Sequence, residues 1–368
     1  MKLSFRKEDL QSAVSIVSRA IPTRTANPIL ECILFDAEAA QIRLIANDLE
    51  LGIETKAAGI IEERGKIALD AKLISEIIRK AEGDGEITIS SEPDLSVTIK
   101  SDGSVFRIQG RDANEFPYLT YVEKDHYITL SQFTLKDVVR QIMFSANLND
   151  SNKMMGGANV EVNGTNVRFT TLDGHRVAVR NIEMKDDYGQ ITSILPVRSL
   201  NEISRIIPGD NEKEVAVFFS KNYALFEFDD TSVLTRVIDG EYFRIAHMLT
   251  KDHDTSIHVN KNRLISAVDR SMIFVRESDH KPIILNLTEE GINISIRSAI
   301  GAMDEDIPCE KKGRDLKIAF NPKFLLDALR VIDDEEVDLY FTNAKAPCFI
   351  RDEKESYIYL ILPVNFIE

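Results

Sequence analysis

Apolar positions along the chain follow two rhythms, and the two alternate in a fixed order. Lys2-Leu3-Ser4-Phe5 alternates polar and apolar like a half-buried strand, and it leads into Leu10-Gln11-Ser12-Ala13-Val14-Ser15-Ile16-Val17. Tyr127-Ile128-Thr129-Leu130 leads likewise into Leu135 to Ile142, and Ser256-Ile257-His258-Val259 into Leu264 to Arg270. In the middle copy Leu135, Val138, Val139, Ile142 and Met143 fall at the i, i+3, i+4 spacing that puts them on one helix face. Each copy therefore predicts a strand, a polar break and an amphipathic helix.

A second element recurs at the same offset. Ile67 to Lys72 precedes a helix bearing Ile74, Ile77, Ile78 and Ala81. Ile194 to Arg198 precedes one bearing Leu200, Ile203, Ile206 and Ile207, and Ile318 to Lys323 precedes one bearing Leu325, Ala328, Leu329 and Ile332. A strand follows each: Ile87 to Ile89, Val215 to Phe219 and Val337 to Phe341. Alternating runs such as Ile42 to Ile45 and Val167 to Thr170 lie between the paired helices and read as antiparallel strands. The repeat has the size of a domain rather than of a solenoid unit. The fold class expected is α+β, with three similar domains at 1–127, 128–254 and 255–368.

The chain has 368 residues and a formal charge of −15, which by itself argues against nucleic acid. The distribution changes that picture. The six predicted helices with their flanks, 6–24, 70–81, 131–146, 196–208, 260–276 and 321–332, carry 17 Lys and Arg against 8 Asp and Glu. Lys72 and Arg79 are seven residues apart, and so are Arg198 and Arg205, and Lys323 and Arg330. Lys136 and Arg140 are four apart, away from the apolar stripe. One such pair is an ordinary solvated helix face. Three identical spacings at equivalent places in three repeats suggest rows of cations that attract phosphates without reading bases.

Catalytic chemistry finds little support. Asp173-Gly174-His175-Arg176 places a His beside an Asp, as a general base would require, but Asp-Gly between strands is a hairpin-turn signal. No nucleophile-elbow, HExxH or phosphate-loop motif accompanies it. His126, His247, His253, His258 and His280 lack metal-ligand spacing, and Cys32, Cys309 and Cys348 form no CxxC pair. No metal or cofactor is expected. The first residues, Met1 to Glu8, turn charged before an apolar stretch forms, so neither a signal nor a membrane helix is expected. Sparse cysteines suit a cytoplasmic protein.

The assembled motifs resemble the bacterial DNA polymerase III β subunits, the β sliding clamps, over essentially the whole chain. Those motifs are Asn27-Pro28-Ile29-Leu30, Asn47-Asp48-Leu49-Glu50, Asn114-Glu115-Phe116-Pro117, Leu172-Asp173-Gly174-His175-Arg176-Val177-Ala178, Val237-Ile238-Asp239-Gly240-Glu241-Tyr242 and Leu360-Ile361-Leu362-Pro363-Val364. The resemblance implies a non-catalytic processivity factor with the DNA clamp fold. It implies a head-to-tail homodimer closed as a ring around double-stranded DNA, its helices lining the pore. Arg24 and Lys153 would then join Lys72, Arg79, Lys136, Arg140, Arg198, Arg205, Lys323 and Arg330 as DNA contacts. Phe106 would meet Met272 and Ile273 across the dimer seam, with Lys100 and Arg107 near Asp304, Glu305 and Asp306.

The resemblance also implies a peptide-binding cleft for the DNA polymerase III α subunit, the clamp loader and other clamp-motif proteins. Carried over by position, it comprises Met155, Leu172, Gly174, His175, Arg176, Val177, Phe243, His247, Met248, Pro347, Leu360, Leu362, Pro363 and Val364. The chain departs from the family here. Phe243 stands where Pro is usual, Leu172 replaces a Thr, Asp150 to Met155 differs, and the tail continues as Asn365-Phe366-Ile367-Glu368. Three other readings stay open: a specialised clamp paralogue with an altered cleft, an acidic protein-binding scaffold without a DNA role, and a hydrolase using His175.

Overall fold

The computed structural model describes residues 1–83, 85–275 and 281–366. Six α-helices occur among them at the places the apolar rhythm predicts: α1 (Lys7–Val17), α2 (Ala71–Lys80), α3 (Gln132–Ile142), α4 (Val197–Ile206), α5 (Lys261–Ser271) and α6 (Pro322–Arg330). The starts of α2, α5 and α6 are set by polar caps that satisfy otherwise unpaired backbone N–H groups. The Asp70 carboxylate accepts from Leu73 N at 2.7 Å, Asn260 from Arg263 N at 3.1 Å, and Asn321 from Lys323 N at 3.0 Å. In α6 the cap is followed by Pro322, which has no N–H to satisfy.

The strands form four antiparallel sheets. Chain contacts divide the molecule into two compact units, Met1–Leu135 with Ser199–Val237, and Lys136–Arg198 with Ile238–Glu368. In the first unit, a five-stranded sheet runs Ile60–Glu63, Lys2–Arg6, Glu86–Ser91, Ser96–Ser101, Ser104–Gln109. Its eight-stranded neighbour starts with strands of the middle repeat, Tyr127–Ser131, Glu214–Phe219, Tyr223–Phe228 and Thr231–Arg236. It continues through Leu51–Ala57, Ile42–Asn47, Cys32–Asp36 and Lys66–Asp70 of the first repeat. The junction is a register of Thr231 to Thr235 against Thr55 to Leu51, reinforced by a buried Thr55–Thr231 hydroxyl contact of 2.8 Å.

The second unit repeats this plan. Its nine-stranded sheet runs Gln190–Pro196, Gly157–Asn163, Asn166–Leu172, Arg176–Glu183, then Tyr357–Ile361, Cys348–Arg351, Glu336–Phe341, Thr255–Asn260, Glu310–Gly313. Its four-stranded sheet runs Gly301–Ile307, Gly291–Ser298, Ile283–Thr288, Leu316–Phe320. The middle repeat thus gives strands to a sheet in each unit. In both units an inner helix face is buried: Leu10, Ala13, Val14 and Val17 of α1 with Ile74, Ile77 and Ile78 of α2, and Leu264, Ala267 and Val268 of α5 with Leu325, Ala328 and Leu329 of α6. Each fully buried Leu or Ile contributes about 1.5–3 kcal/mol, so these stripes fix which helix faces remain for solvent.

Candidate functional site

The helix cations lie on the solvent side that this burial leaves. Lys72, Arg79, Lys136, Arg140, Arg198, Arg205, Lys323 and Arg330 are all exposed, as are Arg24 in its loop and Lys153 at the start of a short 3-10 turn. The register is the same in each repeat. Lys72, Arg198 and Lys323 are the second residues of α2, α4 and α6, and Arg79, Arg205 and Arg330 are the ninth. A cation in the last turn is favoured by the helix dipole, but one in the first turn opposes it, typically by 0.3–1 kcal/mol. Helix stability therefore does not account for Lys72, Arg198 and Lys323.

The ninth-position arginines are paired with carboxylates. Arg79 meets Glu76 at 2.6 Å, Arg205 meets Glu202 at 3.4 Å and Arg330 meets Asp269 at 2.7 Å. Arg140 is more heavily engaged, with Asp137, with Asp333 at 2.6 Å and with the Val331 carbonyl at 2.9 Å. The carboxylate of Glu76 is held below its usual pKa by the hydrogen bond from Arg79. Among the described residues, Arg24, Lys72, Lys153 and Lys323 have no carboxylate within ion-pair distance.

The second candidate site is an apolar cavity of about 320 Å³ in the second unit. Ten of the positions assigned to a cleft line it: Met155, Leu172, Gly174, Arg176, Val177, Phe243, His247, Met248, Leu360 and Leu362. Arg244 and Ile245 complete the lining. Their adjacency to Phe243 was the only sequence signal for them. His175, Pro347, Pro363 and Val364 do not line it. The His175 ring stacks on Phe324 at 5.7 Å and its carbonyl accepts from Leu362 N at 2.9 Å. Val364 N donates to the Ala319 carbonyl at 2.9 Å, which carries the tail along the strand Leu316–Phe320.

The cavity is framed by two rigid features. The first is the turn at Asp173-Gly174. Gly174 sits at φ 84°, where a side chain would be strained, and the Asp173 carboxylate accepts from His175 N and Arg176 N at 3.0 and 3.1 Å. The buried Arg176 guanidinium pairs with Asp173 at 3.0 Å and Asp327 at 2.7 Å, and lies 4.5 Å from the ring centre of Phe324 and 5.3 Å from that of Phe144. The residue next to His175 thus does the work of fixing the turn, and the Asp173 carboxylate holds that turn rather than the His175 ring.

The second feature is the segment 238–248. Ile238 N bonds to the Ile194 carbonyl at 2.9 Å, and the Tyr242 hydroxyl donates to the Gly157 carbonyl at 3.1 Å. Burial pushes the Tyr242 phenol well above its ordinary pKa, so it stays protonated as a donor. Gly240 sits at φ 134°, where a side chain would be strained, and the Met154 methyl lies against its Cα. Phe243 packs edge-on against Tyr242 at 5.5 Å and remains 37% exposed at the cavity mouth.

The seam positions lie near two unpaired strand edges, Ser104–Gln109 and Gly301–Ile307. Phe106 is half-buried, Met272 half-buried and Ile273 70% exposed. Glu305 is committed to Arg270, while the Asn293 amide bonds Asp304 and Asp306 at 2.6 and 2.8 Å. Among the described residues no group of three His, Cys, Asp or Glu could hold a metal ion, and no helix is long and apolar enough to cross a membrane. His280 lies outside the described residues.

Three family models match in order: the DNA polymerase III beta subunit N-terminal domain over residues 1–120, its central domain over 129–243 and its C-terminal domain over 246–365. The beta sliding clamp of Halalkalibacterium halodurans is 30% identical over 367 residues, covering 96% of each chain. The DNA polymerase sliding clamp structure from Bacillus subtilis has a TM-score of 0.96 at 30% identity, covering both chains completely. A provisionally assigned DNA polymerase III beta subunit from Eubacterium rectale has the same TM-score at 50% identity, again over both whole chains. By its sequence and its fold alike, the chain belongs to the DNA polymerase III beta subunit family, the beta sliding clamps.

Proposed function

We propose that two copies of this chain close a ring around duplex DNA and tether replication proteins to it, without catalysing a reaction. The observation that carries the DNA part is the recurrence of an exposed cation at the second position of α2, α4 and α6, where the helix dipole disfavours it. Lys72, Arg79, Lys136, Arg140, Arg198, Arg205, Lys323 and Arg330, with Arg24 and Lys153, would meet backbone phosphates. Such contacts carry no base information, so the ring is free to slide.

Closure would pair the free edge Ser104–Gln109 of one copy with Gly301–Ile307 of the next, with Phe106 against Met272 and Ile273. A two-fold arrangement satisfies both seams at once and removes both exposed edges. The exposed Lys100 and Arg107 would approach Asp304 and Asp306 there.

The apolar cavity would take the anchor side chains of an extended peptide from the polymerase III α subunit, the clamp loader or another clamp-binding protein. Its working location would be the cytoplasm. Primer extension on a singly primed circular template tests the reading: the chain should lengthen the product made per polymerase binding event, and a peptide filling the cavity should abolish the gain. No lengthening with a loader and polymerase that work with a control clamp would refute it. A second reading, a clamp specialised for other partners, is favoured by the exposed Phe243 ring. It fails if this chain alone supports replication by the chromosomal polymerase.

A further inference from the structure

We infer that the first unit carries a phosphate seat for the duplex backbone, and that two glutamates, Glu76 and Glu202, compete with DNA for its arginines. The seat is a notch of about 370 Å³ between α1 and α2, with Arg19, Arg79, Gln11 and three serines around an apolar floor of Val14 and Ile78. No carboxylate is among its lining residues. Ser18 and Ser75 donate their hydroxyl hydrogens back to Val14 and Ala71 carbonyls, so the cationic donors to an incoming anion are the two arginines.

Both arginines are already engaged, and so is a third. Glu202 bridges Arg19 and Arg205, one carboxylate oxygen 3.4 Å from each guanidinium. Glu76 holds Arg79 at 2.6 Å. The arginine ends of these pairs are substantially exposed, with the Arg19, Arg79 and Arg205 side chains 40%, 66% and 53% accessible, while Glu76 is 43% and Glu202 18% accessible. Exposed pairs of this kind are worth little, so a phosphate oxygen can take the place of the carboxylate, and little net affinity remains when it does. The glutamates thus allow the arginines to attract the duplex while preventing any one phosphate from being held tightly. That suits a protein that slides. The ligand is a phosphodiester of duplex DNA, and the inference rests on the DNA-encircling reading above.

The test uses the full-length chain and a duplex oligonucleotide, with affinity measured across a salt series. Glu202→Gln should bind up to about fivefold tighter at low salt, the limit of what an exposed pair withholds. Its salt dependence should steepen by about 0.9 in log–log slope for each phosphate contact released. Arg19→Gln should bind more weakly with a shallower slope. Glu76→Gln, in a more exposed pair, should repeat the tightening should Glu202→Gln disturb folding.

Unchanged or weaker binding by both glutamine variants, with unaltered thermal melting, would overturn the seat. Retention of the unsubstituted chain on closed circular DNA depends on ring closure and not on this seat. Retained circles with indifferent glutamine variants sink the seat alone, whereas lost circles sink the DNA-encircling reading.

Discussion

Arg176 donates to Asp327 at 2.7 Å, which ties the turn at the cavity rim to α6. The guanidinium is 7% exposed and also serves Asp173, so its removal leaves two carboxylates without their shared partner. Arg176→Met should cost about 3 kcal/mol in urea unfolding, the order found when one partner of a buried pair is deleted. Asp327→Asn should cost less, because Asp173 remains.

Phe243 presents an aromatic face at the mouth of the cavity and is braced by Tyr242. Phe243→Ala should weaken a bound clamp-binding peptide by about tenfold, as loss of an aromatic anchor does, and should leave retention on DNA unchanged. Calorimetric titration of the peptide reads the first effect. Equal affinity for the variant would remove Phe243 from the recognition surface.

Lys72 and Lys323 have no carboxylate within ion-pair distance among the described residues, so each should give one full phosphate contact. Neutralising either to Ala should lower the log–log salt slope of DNA binding by about 0.9. Arg140 must release Asp137 and Asp333 before it can reach a phosphate. Arg140→Ala should therefore change the slope less and lower the melting temperature more than either lysine variant.

His258 Nδ1 lies 2.8 Å from Asp338, on adjacent strands, and its pKa is raised, first by that hydrogen bond. Asp338, Glu336 and Glu310 all favour the charged ring. A raised folded-state pKa means that the pair's contribution is fully present below the unfolded value of about 6.5 and is lost as pH rises through the folded value. An NMR titration should show His258 above that value in the native chain and lower in Asp338→Asn. The contribution is small, since both side chains are a third to a half exposed.

Helices and repeats were legible because they are written in local periodicity: the stripe Leu135, Val138, Val139 and Ile142 is buried as its spacing requires. The division of the middle repeat between two sheets was not legible. Pairing Thr231 with Thr55 is a contact 176 residues long, and no local pattern encodes it. Local ion pairs such as Glu76 with Arg79 could be read from a three-residue spacing. Arg140 with Asp333 and Arg19 with Glu202 could not, because only the fold brings them together. At the cavity, positional likeness to the family placed Leu172, Val177 and Leu360, which line it. Backbone pairing of Val364 with Ala319, which positional likeness does not reveal, draws the tail away.

The claim that the chain encircles DNA is tested most directly by its retention on a nicked circle. The chain is placed on the circle with a clamp loader, washed in high salt and followed as the circle is cut. Phosphate contacts alone lose affinity steeply with salt. The account predicts that the protein survives the wash on intact circles and leaves when they are linearised. Release from intact circles in the wash, while a control clamp loaded by the same preparation stays, would contradict it.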